Sequence, residues 1–384
     1  MPVQPANPPE INVLDSPVKQ LLKRYEHARS IKDQWKGIFE ECYEYALPQR
    51  ESFYTENPGR RRTDRIFDET AVVGVQEFAS RLQAGIVPNY TRWADFTAGS
   101  EIPEEERREV NDMLDKVTEY VFEIIQNSNF SQEIHESFLD IALGTGVLLV
   151  EEGDAVAPIR FKAIPLPQVY MTSGHDDKVD HVFRRRMIRM KELAVAYPNA
   201  EISEKMAMDM AKNPDKNCEI IEVVYRNHYN LKEEENFFCA ISKEYETKIY
   251  EETFKGQGSN PFVVYRWSKC AGETYGRGPL MNALPAIKTS NLTMELILEN
   301  AQMAISGMYQ VEDDGVINAD NIQLIPGTII PKAPGSDGLQ PINAVGNFNV
   351  SDLVLREMRT NIKKALYNDM LGNPNEKTPM SATE

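Results

Sequence analysis

The chain is poor in several features that would mark common protein classes. No run of 18 apolar residues occurs, and the densest apolar stretch, Val147–Val150, has only the length of a core strand. A membrane-spanning helix is therefore not expected, and the chain reads as soluble with no membrane partner. The N-terminal fifteen residues hold four prolines and no apolar core of the kind a signal peptide needs. Four cysteines, Cys42, Cys218, Cys239 and Cys270, are scattered without a C-x-x-C pair. Zinc and thiol-redox motifs are thus unsupported, and a reducing compartment fits. Positive charge is in deficit: 42 Lys and Arg face 59 Asp and Glu, a net charge of −17. A protein that coats nucleic acid by bulk charge needs the opposite balance. A local basic stripe or a repulsive conduit for DNA remains compatible. Phosphate-loop, G-x-S-x-G and H-E-x-x-H motifs are all missing, so nothing supports an ATP-driven motor, a nucleophile elbow or a zinc protease.

What is present is apolar material for sizeable cores: 41% of 384 residues are hydrophobic. Ser16-Pro17 starts a helix well, with Ser as N-cap and Pro as first helical residue. Apolar residues then recur at helical spacing from Val18 to Cys42. This predicts one helix of about 30 residues, about 45 Å long, ending at Pro48. Arg60, Arg61, Arg62 and Arg65 mark a basic loop. Further helices are expected over 68–83, after Pro103 and over 131–143, with Trp93 and Phe96 in a strand between them. From 155 to 270 the period shifts to alternation, predicting seven strands interrupted by one helix over 190–212. Helix returns after Gly276-Arg277-Gly278-Pro279, where Pro285 should kink or restart it. Residues 309–349 read as short strands, Tyr309–Val311 and Gly327–Pro331, among many turns; a last helix is expected over 351–371. The fold class is α+β. At the C-terminus, Ser381 and Glu384 form a capping-box pattern that announces a helix, so a C-terminal helical part is expected to be missing; a floppy tail is the alternative.

Few constellations carry chemistry. Gly144-Thr145-Gly146 leads into a strand rather than out of one, so it is no dinucleotide fingerprint. The Gly276-Arg277-Gly278 turn could form an anion nest, but a tight strand-to-helix turn explains it better. His175, Asp176, Asp177 and His181 read as a polar hairpin turn rather than a metal site, and Asp313-Asp314-Gly315 as another turn. No catalytic residue, cofactor or metal is expected. On the last helix, Arg356, Arg359 and Lys363 fall within about 60° of one another, opposite Val354, Met358, Ile362 and Ala365. Such a stripe can touch phosphates, or it can pair with acids of a neighbouring subunit.

Several stretches, in order, resemble the head-to-tail connector (portal) proteins of short-tailed, podovirus-type bacteriophages. They are RIFDETAVVGVQEFASRLQAGIVP with TRWADF, IALGTGVLLVEEG, IPLPQVYM with DKVDHVFRRRMI, PFVVYRWSKCAGETYGRGPLMNALPAIKTSN, DGVI with LIPGTIIP, and NEKTPMSATE. The resemblance implies a dodecameric ring at one capsid vertex of the virion, assembled in the host cytoplasm. Double-stranded DNA would enter and leave through it. Its partners would be terminase, a tail adaptor protein, and capsid and scaffolding proteins. It also implies a portal-like subunit with an α/β wing, long stem helices, a small β-rich clip and a C-terminal crown region that this chain lacks.

On that plan residues 1–15 are an extended arm, 16–278 the wing body, 279–308 the first stem helix, 309–349 a clip-like insert, 350–371 the second stem or tunnel helix, and 372–384 a loop toward the missing region. Arg356, Arg359 and Lys363 become candidates for facing DNA. Trp35, Phe39 and Tyr43 become candidates for assembly contacts, because the first helix carries more apolar area than a thin subunit covers alone. Two other readings stay open: an intracellular, hydrolase-like α+β enzyme using the Asp313/Asp314 or His175/His181 regions, and an oligomeric scaffold that binds only proteins.

Overall fold

The computed structural model describes residues 17–50, 63–174, 177–226, 234–306, 309–311, 334–335, 339–341 and 348–368. The N-terminal arm, Arg60–Arg62, His175 and Asp176, Asp313 and Asp314, the expected strand over 327–331 and residues 372–384 lie outside them.

The elements in chain order are α1 (Pro17–Asp33), α2 (Lys36–Ala46), α3 (Thr70–Ile86), α4 (Arg107–Asn127), α5 (Phe130–Ile141), β1 (Thr145–Glu152), β2 (Ile159–Ala163), β3 (Val169–Ser173), β4 (Val179–Arg189), α6 (Leu193–Ala196), α7 (Glu204–Lys212), β5 (Asn217–Arg226), β6 (Glu235–Ser242), β7 (Thr247–Lys255), β8 (Phe262–Arg266), α8 (Pro279–Ser306), β9 (Tyr309–Val311), β10 (Leu339–Pro341) and α9 (Phe348–Ala365). The fold is α+β, with antiparallel sheets in the orders β2-β1-β8, β3-β4-β5-β6-β7 and β10-β9.

The five-stranded sheet is covered on both faces, which is why its middle strand β5 is apolar at successive positions instead of alternating. Ile221 and Val223 join Phe183, Cys239 and Ile241 beneath Tyr25 and Ala28 of α1. Cys218 and Ile220 face Met190, Leu193 and Met206 near α6 and α7. The largest core lies beside the three-stranded sheet, where α2, α3, α5, α8 and α9 bring Phe39, Tyr43, Phe78, Leu143, Leu280 and Ile362 together.

Four sequence expectations are corrected. The first helix is two helices, broken at Gln34 and Trp35, whose amides donate to the carbonyls three residues earlier, Ile31 and Lys32. The break re-aims the chain. It lets α1 pack on β3 of the sheet while α2 packs on α3 and α8. Trp93 and Phe96 form no ladder; the extended segment runs beside α4, where the Phe96 amide donates to Thr118 Oγ1 (3.2 Å) and the Ala98 amide to Asn111 Oδ1 (2.8 Å). The helix expected over 190–212 splits at Pro198-Asn199, with Asn199 at φ 64° and Ser203 capping α7. Finally, α8 does not restart at Pro285 but runs through it for 28 residues, about 42 Å, and α9 ends at Ala365, short of residue 371 and ahead of Tyr367 at φ 57°.

Candidate functional site

Two junctions hold an antiparallel helical hairpin, α8 and α9, to the body. The first is a backbone crossing. Gly144 sits at φ 129°, and a Cβ there would lie 2.2 Å from the Gly276 carbonyl oxygen. A Cβ on Gly276 would in turn lie 2.1 Å from the Gly144 oxygen. Only glycine permits chains this close at that φ. The two glycine motifs of the sequence therefore serve each other. The Gly276 amide donates to Thr145 Oγ1 (2.9 Å) and the Arg277 amide to the Ser268 carbonyl (2.9 Å), so these amides are not an open anion nest. Arg277 instead grips Glu273 and stacks 4.9 Å over the Trp35 ring.

The second junction centres on Asp68, just before α3. Its carboxylate accepts hydrogen bonds from the Thr70 amide (3.0 Å), Thr70 Oγ1 (2.6 Å), Ser290 Oγ of α8 and Arg359 Nε of α9 (3.2 Å). Burial opposes the charge, but the hydrogen bonds from Ser290, Thr70 and Arg359 prevail and hold Asp68 below the usual carboxylate range. Next to it, Asn291 Oδ1 accepts from the Phe67 and Asp68 amides, and Asn291 Nδ2 donates to the Arg65 carbonyl. One carboxylate thus ties α3, α8 and α9 together. Sequence reading missed it. RIFDET carries Asp68 and Thr70, but nothing local says that the other two partners, Ser290 and Arg359, lie more than 200 residues away.

Arg359 is therefore turned into the body instead of joining Arg356 and Lys363 on an open stripe. Arg356 is exposed and pairs with Asp352 one turn earlier (2.7 Å), and Lys363 is exposed. The assembly candidates also need correcting. Phe39 and Tyr43 are fully buried within their own chain. Tyr43 Oη donates to Asp140 Oδ1 (2.7 Å), and Phe39 meets Tyr275 edge-on at 5.7 Å. Enclosure by α3, α5 and α8 leaves no surface there for a neighbour; only Trp35, half-buried and stacked on Phe39, reaches the outside.

The other polar clusters are structural fastenings. Lys32 is buried, donates to the Leu166 and Pro167 carbonyls (2.7 and 2.8 Å), and has its pKa pushed down by burial. Burial raises the pKa of Asp140, against the pull of Arg50 and Tyr43. Glu222 accepts from Arg184, Arg186 and Tyr197. His181 is stacked between Phe183 and Tyr225 and hydrogen-bonded to Arg24, so it is engaged in packing. Burial pushes the Cys42 and Cys239 thiols up to about 12. Among the described residues no group of three or more His, Cys, Asp or Glu could hold a metal ion, and no helix is long and apolar enough to cross a membrane.

Comparison with known proteins assigns this architecture. The probable portal protein of Bordetella phage BPP-1 is 22% identical over 388 residues, covering 95% of this chain and 68% of the relative. Two chains from gene transfer agent particles show distant likeness. One, from the native virion, has a TM-score of 0.35 and 11% identity, over 64% of this chain and 58% of that chain. The other, from the neck of an empty particle, has a TM-score of 0.37 and 12% identity, over 80% and 68%. The family model for the bacteriophage head to tail connecting protein matches residues 18–384, and the chain belongs to that family.

Proposed function

We propose that this chain is the portal subunit of a short-tailed phage. In this reading its copies form a ring, of twelve subunits, at one capsid vertex, through which double-stranded DNA is packaged and ejected. Terminase, a tail adaptor, and capsid and scaffolding proteins would dock on it. The ring stands in the virion at the head–tail junction after assembly in the host cytoplasm, and it does no catalysis of its own. Family membership over nearly the whole chain carries the reading. The hairpin supports it, because a 28-residue helix braced at its base is a fitting wall element for a tall conduit. Charge supports it too: a wall built of subunits with a net charge of −17 repels phosphates, so DNA slides instead of sticking.

Residues 279–308 and 350–371 are then the stem, 309–349 the clip and 16–278 the wing. The arm, residues 1–15, would lie on a neighbour. Where the helix nears DNA, the exposed cation Lys363 makes transient phosphate contacts that carry no base information; Arg359, committed to Asp68, does not. Negative-stain images of the purified protein test the reading. Annular particles are expected. A species of 43.7 kDa that stays monomeric with a measurable turnover would favour an enzyme instead. Lys363→Ala should leave the rings intact and change DNA packaging or retention; an unchanged phage yield would remove Lys363 from the DNA path.

A further inference from the structure

Between α1 and the five-stranded sheet lies a polar cavity of about 480 Å³, within the range of small-ligand pockets, about 300–1,000 Å³. Its walls invert the charge balance of the chain. Arg29, Lys32 and Lys36 come from the end of α1 and the start of α2, Arg185 from β4, and Lys243 from the turn after β6; Asp33 and Glu219 are the carboxylates among them. One further acid, Glu26, stands 3.6 Å from Arg29 and 3.0 Å from Lys243. Five cations thus face three carboxylates, in a chain whose 42 Lys and Arg are outnumbered by 59 Asp and Glu.

The acids at hand are shared or placed outward. Glu219 accepts from Arg185 Nε at 2.9 Å and lies 3.9 Å from Lys243, so two cations divide it. Glu26 is divided in the same way, and its side chain is half exposed, where an ion pair is worth little. Asp33 is exposed, and the buried Asp140 beyond is engaged by Tyr43 and Arg50. Lys32 is the most enclosed cation, 3% exposed. Its Nζ donates to the Leu166 and Pro167 carbonyls and lies 4.0 Å over the Tyr170 ring, three neutral groups. Burial, then the charge of Lys36, pushes its pKa down. An anion entering the cavity would offset both effects.

A concave site with a surplus of one charge concentrates ions of the other. A surplus of two positive charges suits a dianion. The cations also converge from three sides: the α1–α2 junction, β4 and the β6–β7 turn. That spread fits the tetrahedral oxygens of a phosphate better than the two coplanar oxygens of a carboxylate, and Arg29 and Arg185 can each grip phosphate with two N–H groups. Depth selects further. A phosphodiester inside a duplex has sugars on both sides and cannot bring its oxygens to a side chain as enclosed as Lys32, whereas a terminal or free phosphate can.

We propose that this cavity binds a phosphate dianion, as a phosphomonoester or the free ion, held by Arg29, Arg185 and Lys243 with Lys32 beneath. The ligand would bridge α1 and the sheet, since its cations come from both. Occupancy needs neither a ring nor DNA, so the site stands apart from the portal reading.

Calorimetric titration of the full chain at constant ionic strength tests it, with sodium phosphate, sodium acetate, thymidine monophosphate and a short DNA duplex with unphosphorylated ends as probes. Phosphate should bind saturably, one per chain, and should raise Tm as a ligand of the folded state does. Arg29→Ala with Lys243→Ala should weaken binding about tenfold or more, because charge-assisted hydrogen bonds are lost. Lys212→Ala, exposed on α7 across the sheet, should not. Circular dichroism should stay unchanged, since the Arg29 and Lys243 side chains are 50% and 31% exposed. Tighter binding of thymidine monophosphate than of phosphate would name the monoester as ligand, and weaker binding the free ion. No saturable phosphate binding, equal affinity for acetate, or a double variant that binds like wild type would overturn the proposal. Duplex binding that exceeds phosphate binding and falls in the double variant would also overturn it, by making the cavity a contact for the DNA backbone.

Discussion

The body and the outer hairpin differ in how completely one chain encloses their apolar side chains. In the body, Phe39, Tyr43, Phe183 and Tyr275 are fully enclosed by their own chain, and even the charged Asp140, Glu222 and Lys32 find partners inside. In the outer hairpin, Leu292, Leu296, Leu298 and Leu353 stand at least half exposed. The body also exposes Tyr90, Met113, Tyr120 and Val195, but these stand outside its closed cores, and on the ring reading it is the hairpin leucines that a neighbour would cover. Mutations should separate the two: body changes act on folding, hairpin changes on association.

The largest effect is expected at the crossing. Gly144→Ala combines a left-handed φ of 129° with a backbone clash, and neither carbonyl can yield. A loss of about 3–5 kcal/mol or failure to fold is expected by denaturant titration, a size reserved for such named defects. A well-tolerated alanine would mean that the two chain segments can part and that the body is looser than described.

Next comes the contrast between two aromatic neighbours. Phe39→Ala should cost about 3–5 kcal/mol, whereas half-buried Trp35→Ala should cost about 1–2 kcal/mol. Equal costs would place Trp35 in the core and blur the line between interior and surface at the start of α2.

Acid sharpens the comparison because the two regions respond with opposite sign. Asp68 is held below the ordinary carboxylate pKa in the folded chain. Its stabilisation is present above about pH 3.9 and is lost as pH falls through the lower folded value. Asp140 is raised by burial, so its contribution is fully present below about pH 3.9 and falls away as pH rises through the folded value. Acidification should therefore loosen the base of the hairpin while relieving a penalty inside the body. Hydrogen exchange should show α9 opening before α5 as pH drops. Asp68→Asn should remove most of the difference; simultaneous opening in wild type would contradict it.

The smallest effect on folding is expected from Leu296→Asp, within about 0.5 kcal/mol for a surface site. Ring formation should nevertheless fall. A variant with wild-type association would show the ridge to be ordinary surface.

Much of this was legible in the sequence, and the limits have physical causes. The α+β class, the strands from 159 to 266 and the helices α3, α5 and α9 follow from periodicity, which is local. The break at Gln34 and Trp35 was not legible, because the apolar spacing continues across it; competing tertiary contacts, sheet for α1 and helices for α2, decide there. The segment with Trp93 and Phe96 alternates like a strand, yet its amides are satisfied by Thr118 and Asn111 instead of a ladder. Spacing puts Arg356, Arg359 and Lys363 on one side of a helical wheel, but a wheel cannot know that Asp68 waits beside the middle member. Long-range carboxylate partners leave no periodic trace.

The central claim is that one chain encloses its own cores and that the outer hairpin associates with further copies. Native mass measurement of wild type beside Leu296→Asp tests it most directly. The account predicts a closed multiple of 43.7 kDa for wild type and a folded subunit of 43.7 kDa, or small open multiples, for the variant. A wild-type monomer at every concentration, or a variant whose multiple is unchanged, would contradict it.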